Sequence, residues 1–225
     1  KRITIMEQQI ITETAKNRGI SRDAVIREYY EFVLLKLLFE SPIGNSIAFK
    51  GGTALRIFYA LPRYSDDLDF TMVRKFDFDK FSLAMTKIVS GFGNMKITDV
   101  WNKQFTYICE IRITENWMKM PFSIKIEVSK RKDKPARKTE LKLAVSSDFG
   151  INVLGNVYDI NSLYLDKKAA IAGRDEPKDF FDLWYICSLL KVPFEPGKIP
   201  DKKRYRQVLF KYVPLAYKKV LEQIL

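Results

Sequence analysis

The 225-residue sequence contains no histidine and only two cysteines. Without imidazole there is no Ser-His-Asp or Cys-His engine, no imidazole general base and no His-rich metal site. Cys109 and Cys187 are too few and too far apart for a zinc site or a disulfide framework. Any catalysis must then rest on carboxylates, lysine, arginine, hydroxyls and hard cations such as magnesium. Long apolar runs are missing as well. None approaches the ~20 residues needed to cross a bilayer, and the opening KRITIMEQQI lacks the apolar core of a signal peptide. These absences lead to the expectation of a cytoplasmic protein with no membrane partner.

What is present describes a folded domain. Apolar residues make up 47% of the chain, with 16 Phe and 11 Tyr, enough for a substantial core. The formal charge of +12 suits polyanionic partners such as nucleotides or nucleic acid, or simply a basic surface.

Ser21 is placed to N-cap a helix in which Val25, Tyr29, Phe32, Val33, Leu37 and Leu38 recur at helical spacing, until Ser41-Pro42 stops it. A short strand, Ile47 to Phe49, exits through Gly51-Gly52 into a helix from Thr53 to Tyr59, which Pro62 ends. Asp67 to Val73 reads as a strand with Leu68 and Phe70 on one face and Asp67 and Asp69 on the other. A helix is expected over Phe76 to Val89, then strands over Met95 to Trp101, Gln104 to Thr114 and Phe122 to Ser129. Lys130 to Lys142 (KRKDKPARKTELK) reads as a basic loop, either simply solvated or, like Lys202-Lys203-Arg204 with Tyr205-Arg206, a candidate RNA contact. The C-terminal third reads as helices: about Ser162 to Ala172, Pro177 to Leu190, and Lys202 to Leu225 with a break near Pro214. Together these give an α+β (α/β) core carrying helical additions.

Two glycines between a strand and a helix allow a tight turn and close approach of a ligand to backbone amides, which suits phosphate. Arg56, on that helix, either pairs locally or helps to bind the anion. Asp67 and Asp69 leave the same side of their strand, where they either share a hard divalent cation or pair with Lys50, Arg56 or Arg63. Glu127, mid-strand on a polar face, needs a partner for its charge, which is either a metal or Lys125. Asp179 and Asp182 share one face of a helix that Pro177 begins, and capping is an alternative role for Asp179. Of the adjacent Lys167 and Lys168, one is expected to turn inward with Ala169-Ala170-Ile171.

KGGTALR, RYSDDLDF, KIEV, LDKKAAI and KDFFDLW, in that order from Lys50 to about Leu190, resemble the AbiEii/AbiGii nucleotidyltransferase toxins, a branch of the DNA polymerase β-like superfamily. The resemblance implies a small mixed sheet bearing the acids, with a nucleotidyltransferase core and N-terminal helices over 1–150. A helical region over 151–225 would close the nucleotide cleft. By position it implies a phosphate-binding turn at Gly51, Gly52 and Thr53, and a motif serine at Ser65. Asp67 and Asp69 match the metal pair, Glu127 the third acid, and Asp166-Lys167 the acid-lysine pair, with Lys168 as the alternative. Asp179 and Asp182 match the late Asp-x-x-Asp motif. The sequence departs from the pattern at Lys178, where the toxins carry arginine, and at Glu127, where the superfamily favours aspartate.

The implied activity is transfer of NMP from an NTP to RNA, a tRNA 3′ end being the model acceptor, with Mg2+ or Mn2+ and release of pyrophosphate. A cognate antitoxin is the implied protein partner. The alternatives are a protein or small-molecule acceptor, or a catalytically silent module that binds nucleic acid or a partner.

Overall fold

A computed structural model describes residues 8–132, 136–195, 199 and 201–225. The chain opens with helices α1 (Gln8–Arg18) and α2 (Arg22–Glu40), followed by strand β1 (Ile47–Lys50), helix α3 (Gly51–Tyr59) and strand β2 (Leu68–Met72). Helix α4 (Phe78–Ser90) leads into β3 (Met95–Lys103), β4 (Thr106–Ile113), β5 (Phe122–Ser129), β6 (Thr139–Ser146) and β7 (Ile151–Tyr158). The remainder is helical: α5 (Ile160–Gly173), α6 (Pro177–Leu190), α7 (Lys202–Leu209) and α8 (Lys218–Ile224). The seven strands form one mixed sheet in the order β3-β4-β5-β2-β1-β7-β6. The β2–β5 and β1–β7 pairs are parallel and the other pairs antiparallel.

Period-two alternation sorts the two faces of the sheet. Ile47, Phe49, Leu68, Phe70, Ile124, Ile126, Val128, Val153 and Val157 enter the core formed with α2 and α4. The opposite face carries the polar side chains, and above its β1 and β7 end a second cluster of Ala48, Leu55, Leu61, Tyr158, Leu163, Phe181 and Ile186 seats α5 and α6. The polar face is therefore the floor of a cleft.

Helix α2 begins as its sequence indicates, with the Ser21 hydroxyl accepting a hydrogen bond from the Ala24 amide. Its burial is broader than one stripe, because Ile26, Leu34 and Leu35 are fully buried as well. Each such side chain contributes about 1.5–3 kcal/mol, so α2 acts as a central pillar. One turn of it carries Glu31, 1% exposed, whose Oε1 finds no hydrogen-bond partner among the described residues. Burial, then the Glu28 and Asp66 charges, push this carboxyl well above its ordinary range, with Arg27 and Arg56 opposing. A raised folded-state pKa contributes stability below the unfolded value and loses it as pH rises toward the folded one. Glu31→Gln removes that dependence. The melting temperature of the variant relative to wild type is expected to climb as pH rises above the ordinary glutamate value of 4.5; parallel curves would contradict it.

Three expectations are corrected. Helix α1 precedes Ser21, where no element was read. The C-terminal third is not all helix, since the sheet continues past residue 150 to Tyr158 before helices take over. The stretch read as a basic loop, Lys130 to Lys142, gives its last residues to β6, while 133–135 lie outside the described residues. Strand β6 ends the sheet and turns Leu141, Leu143 and Val145 outward to solvent beside Leu154.

Candidate active site

Lys50 ends β1 directly opposite Asp69 on β2, and the next residue, Gly51, takes φ +83° to start α3. A Cβ at Gly51 would stand 2.8 Å from Asp69 Oδ2, so both the backbone angle and the adjacent carboxylate require glycine there. Gly52 is equally constrained: a side chain would collide with the Arg63 guanidinium and crowd Ser65 Oγ at 3.1 Å. The Thr53 hydroxyl donates to the Asp67 carbonyl at 2.5 Å, tying the turn to the strand that carries the acids. Thr53 thus fastens the turn from behind.

In the parallel β2–β5 pair, Asp69 lies opposite Glu127, and Asp67, just before β2, pairs with Lys125. The three acids share one face. They are not drawn into a preformed metal cluster: among the described residues no three Asp, Glu, Cys or His side chains stand gathered as ligands around one point. The reason is visible in Lys125, whose Nζ lies 3.5 Å from Asp67 Oδ2 and 3.4 Å from Glu127 Oε2. Burial tends to lower the Lys125 pKa, but Asp67 and Glu127 raise it on balance. Asp69 differs: burial, followed by the charges of Asp67 and Glu127, lifts its carboxyl above the ordinary value, and Lys125 and Lys50 only partly offset this. No ion pair or hydrogen bond reaches the Asp69 carboxylate among the described residues.

Facing the acids, Lys167 of α5 is 8% exposed and points inward, whereas Lys168 is exposed, 5.3 Å over the Tyr164 ring. The Lys167 ammonium donates to Asp179 Oδ1 at 2.7 Å and pairs with Asp182 Oδ2 at 2.6 Å. Asp182, fully buried, also receives both arms of Arg63 at 2.5 and 2.6 Å. Asp179 receives Arg174 Nε at 2.7 Å. Burial alone would raise the Asp179 pKa, but Lys167 and Arg174 hold it below the ordinary carboxylate value. Capping is left to Glu176, whose side chain accepts from the Lys178 amide. Lys178 itself reaches Asp66 at 3.3 Å.

A cleft of about 640 Å³ joins these parts, lined by Lys50, Gly51, Gly52, Asp69, Glu127, Lys167 and Asp179, with Arg131, Arg137 and Arg174 around them. Some expected members lie elsewhere. Arg56 pairs with Glu28 at 2.6 Å, donates to the carbonyls of Leu61 and Pro62, and stacks on Tyr64, so it braces the loop and does not line the cleft. Asp182 sits beneath Lys167, sealed from the cleft by its partners. Ser65 packs against Gly52 outside the lining. Sequence reasoning did not assign Lys50, Arg131, Arg137 or Arg174 to the site, nor Arg63 as the support of Asp182. Lys50 adjoins the glycines and Arg131 and Arg137 lie in the basic run, so part of that signal was available.

The site thus sets a glycine turn before strand-borne carboxylates under a helical cap. The model of the nucleotidyl transferase AbiEii toxin family, type IV toxin–antitoxin system, matches residues 33–213, and the chain belongs to that family. No curated protein sequence matches it. Among solved structures it is similar to MenT4, a nucleotidyltransferase toxin of Mycobacterium tuberculosis, with TM-score 0.60 and 19% identity over 91% of this chain and 69% of that one. It is also similar to JHP933 of Helicobacter pylori, with TM-score 0.55 and 24% identity over 75% of this chain and 68% of that one. Membership implies an NTP substrate and an antitoxin partner. No helix among the described residues is long and apolar enough to cross a membrane.

Proposed function

We propose that the chain transfers NMP from an NTP to the hydroxyl of an RNA acceptor, a tRNA 3′ end being the model, in the cytoplasm and under the restraint of an antitoxin. The observation that carries this reading is the cleft itself, where unpaired Asp69 and the Gly51-Gly52 turn face buried Lys167 inside a ring of arginines. Helices α5 and α6 form the opposing wall and would close over the nucleotide.

The residues fit a divalent cation. Asp67, Asp69 and Glu127 put three carboxylates on one sheet face against a single paired ammonium, and the Asp69 pKa is raised first by burial and then by the charges of Asp67 and Glu127. Asp67 and Asp69, with Glu127, would hold Mg2+ or Mn2+, which when bound supplies Lewis-acid stabilisation of phosphoryl charge. The chain's own groups do the rest. Amides at the start of α3 and the Lys50, Arg131 and Arg137 cations receive the triphosphate tail. Lys167, held by Asp179 and Asp182, offsets charge that grows as the acceptor oxygen bonds to the α-phosphorus and the bond to pyrophosphate breaks. Partial closure by α5 and α6 keeps water from competing with the acceptor.

Incubation with each α-labelled NTP and Mg2+, with and without total RNA, tests the reading. Label is expected in RNA, with pyrophosphate released in equal amount. Label confined to protein or to a small molecule would remove RNA as acceptor, and no transfer from any NTP would remove the activity.

A further inference from the structure

The same sheet face that carries the acids continues beyond them. Following direct cross-strand partners, which share a face, one row runs Lys50–Asp69–Glu127–Ile108–Trp101 across β1, β2, β5, β4 and β3. The neighbouring row runs Thr71–Ser129–Thr106–Lys103. At the ~4.8 Å spacing between strands, Trp101 lies about 10 Å beyond Glu127, on the level of the reacting groups.

Trp101 is 39% exposed and Phe105, in the β3–β4 turn, 45%. Both carry cations: Lys103 Nζ is 5.4 Å from the Trp101 ring centre, and Arg131 Cζ is 4.9 Å from that of Phe105. Neither Lys103 nor Arg131 has an ion pair among the described residues, and Arg131 also lines the cleft. The hairpin is not a loose arm. Lys130 donates to Asn102 Oδ1 at 2.9 Å and to the Lys103 carbonyl at 2.5 Å, and its amide donates to the Phe105 carbonyl at 2.8 Å. Exposed aromatic faces beside unpaired cations on a braced hairpin have the chemistry of a platform for single-stranded nucleic acid, in which bases stack and phosphates pair. On the same face, Asp99 and Glu110 stand opposite each other one row away, repelling phosphate toward the Lys103 and Arg131 side.

The geometry points to the β3–β4 hairpin as the acceptor platform: a base near the 3′ end of single-stranded RNA stacks on Trp101, with Phe105 beside it and its phosphates on Lys103 and Arg131. This inference rests on the RNA-acceptor reading above and assigns the acceptor its place.

The test uses the full chain and a 5′-labelled short single-stranded RNA with a free 3′ hydroxyl, followed by fluorescence anisotropy over a salt series. Trp101→Ala is expected to weaken binding about tenfold or more with the salt slope unchanged, and Trp101→Phe to restore most of it. Arg131→Ala should instead reduce the magnitude of the slope by about 0.7. Affinity for a fluorescent NTP, measured separately, should be the same in the Trp101 variants, showing that they are folded. RNA affinity unaltered in Trp101→Ala overturns the platform while leaving RNA labelling by the wild-type chain in place. Failure of the wild-type chain to label RNA, with label entering protein instead, overturns the acceptor reading and the platform with it.

Discussion

Asp69→Asn is expected to lower nucleotidyl transfer by about three orders of magnitude or more, because the group aimed at phosphoryl charge stabilisation loses its own charge. Asp69 is the strongest choice among the acids. Asp67 and Glu127 already share Lys125, whereas Asp69 has no ion pair among the described residues and lies against the Gly51 turn. The substitution is nearly isosteric and removes a half-buried charge repelled by two neighbours, so the melting temperature should hold or rise. Steady-state transfer assays beside thermal melts separate the two effects. A variant as active as wild type would show that this carboxylate has no part in the chemistry.

The largest loss of stability is expected from Asp182→Ala. The side chain is fully buried and joins the Arg63 guanidinium to the Lys167 ammonium. Its removal leaves Arg63 without its bidentate partner and Lys167 with Asp179 alone, a change of the kind that costs about 3–5 kcal/mol. For a chain of this length each kcal/mol moves the midpoint by roughly 2–4 °C. Transfer should fall as well, since Lys167 is then held from one side only. Lys168→Ala is the control, exposed and expected within about 0.5 kcal/mol of wild type. Equal melting curves for the two variants would refute the supporting role given to Asp182.

Local rules identified the elements around the acids. The Ser21 cap, the Leu68/Phe70 alternation and Pro177 at the first turn of α6 each act within a few residues, and each is found where the sequence places it. Strands β6 and β7 were harder to read. In β7 the alternation of Ile151, Val153 and Val157 is interrupted at Gly155, where the Phe39 ring fills the place of a side chain. In β6 the apolar positions face solvent, so the usual inward-apolar rule points the wrong way. The site shows the same division. The glycine turn and acid pair are contiguous and legible, but the partners that decide each charge are distant: Arg63 meets Asp182 across 119 positions, and Arg56 meets Glu28 across 28. Pattern alone could not choose between metal and lysine for Glu127, because Lys125 stands on its own strand only two positions away.

Lys125 has one more consequence, for assembly. Aligning β2 with β5 brings like charges face to face, an arrangement that would resist zipping of the two central strands. An ammonium carried on one of those strands supplies the counter-charge at the moment of pairing, so the newly made sheet can close without waiting for dissolved ions. The two strands thus carry their own neutralising charge.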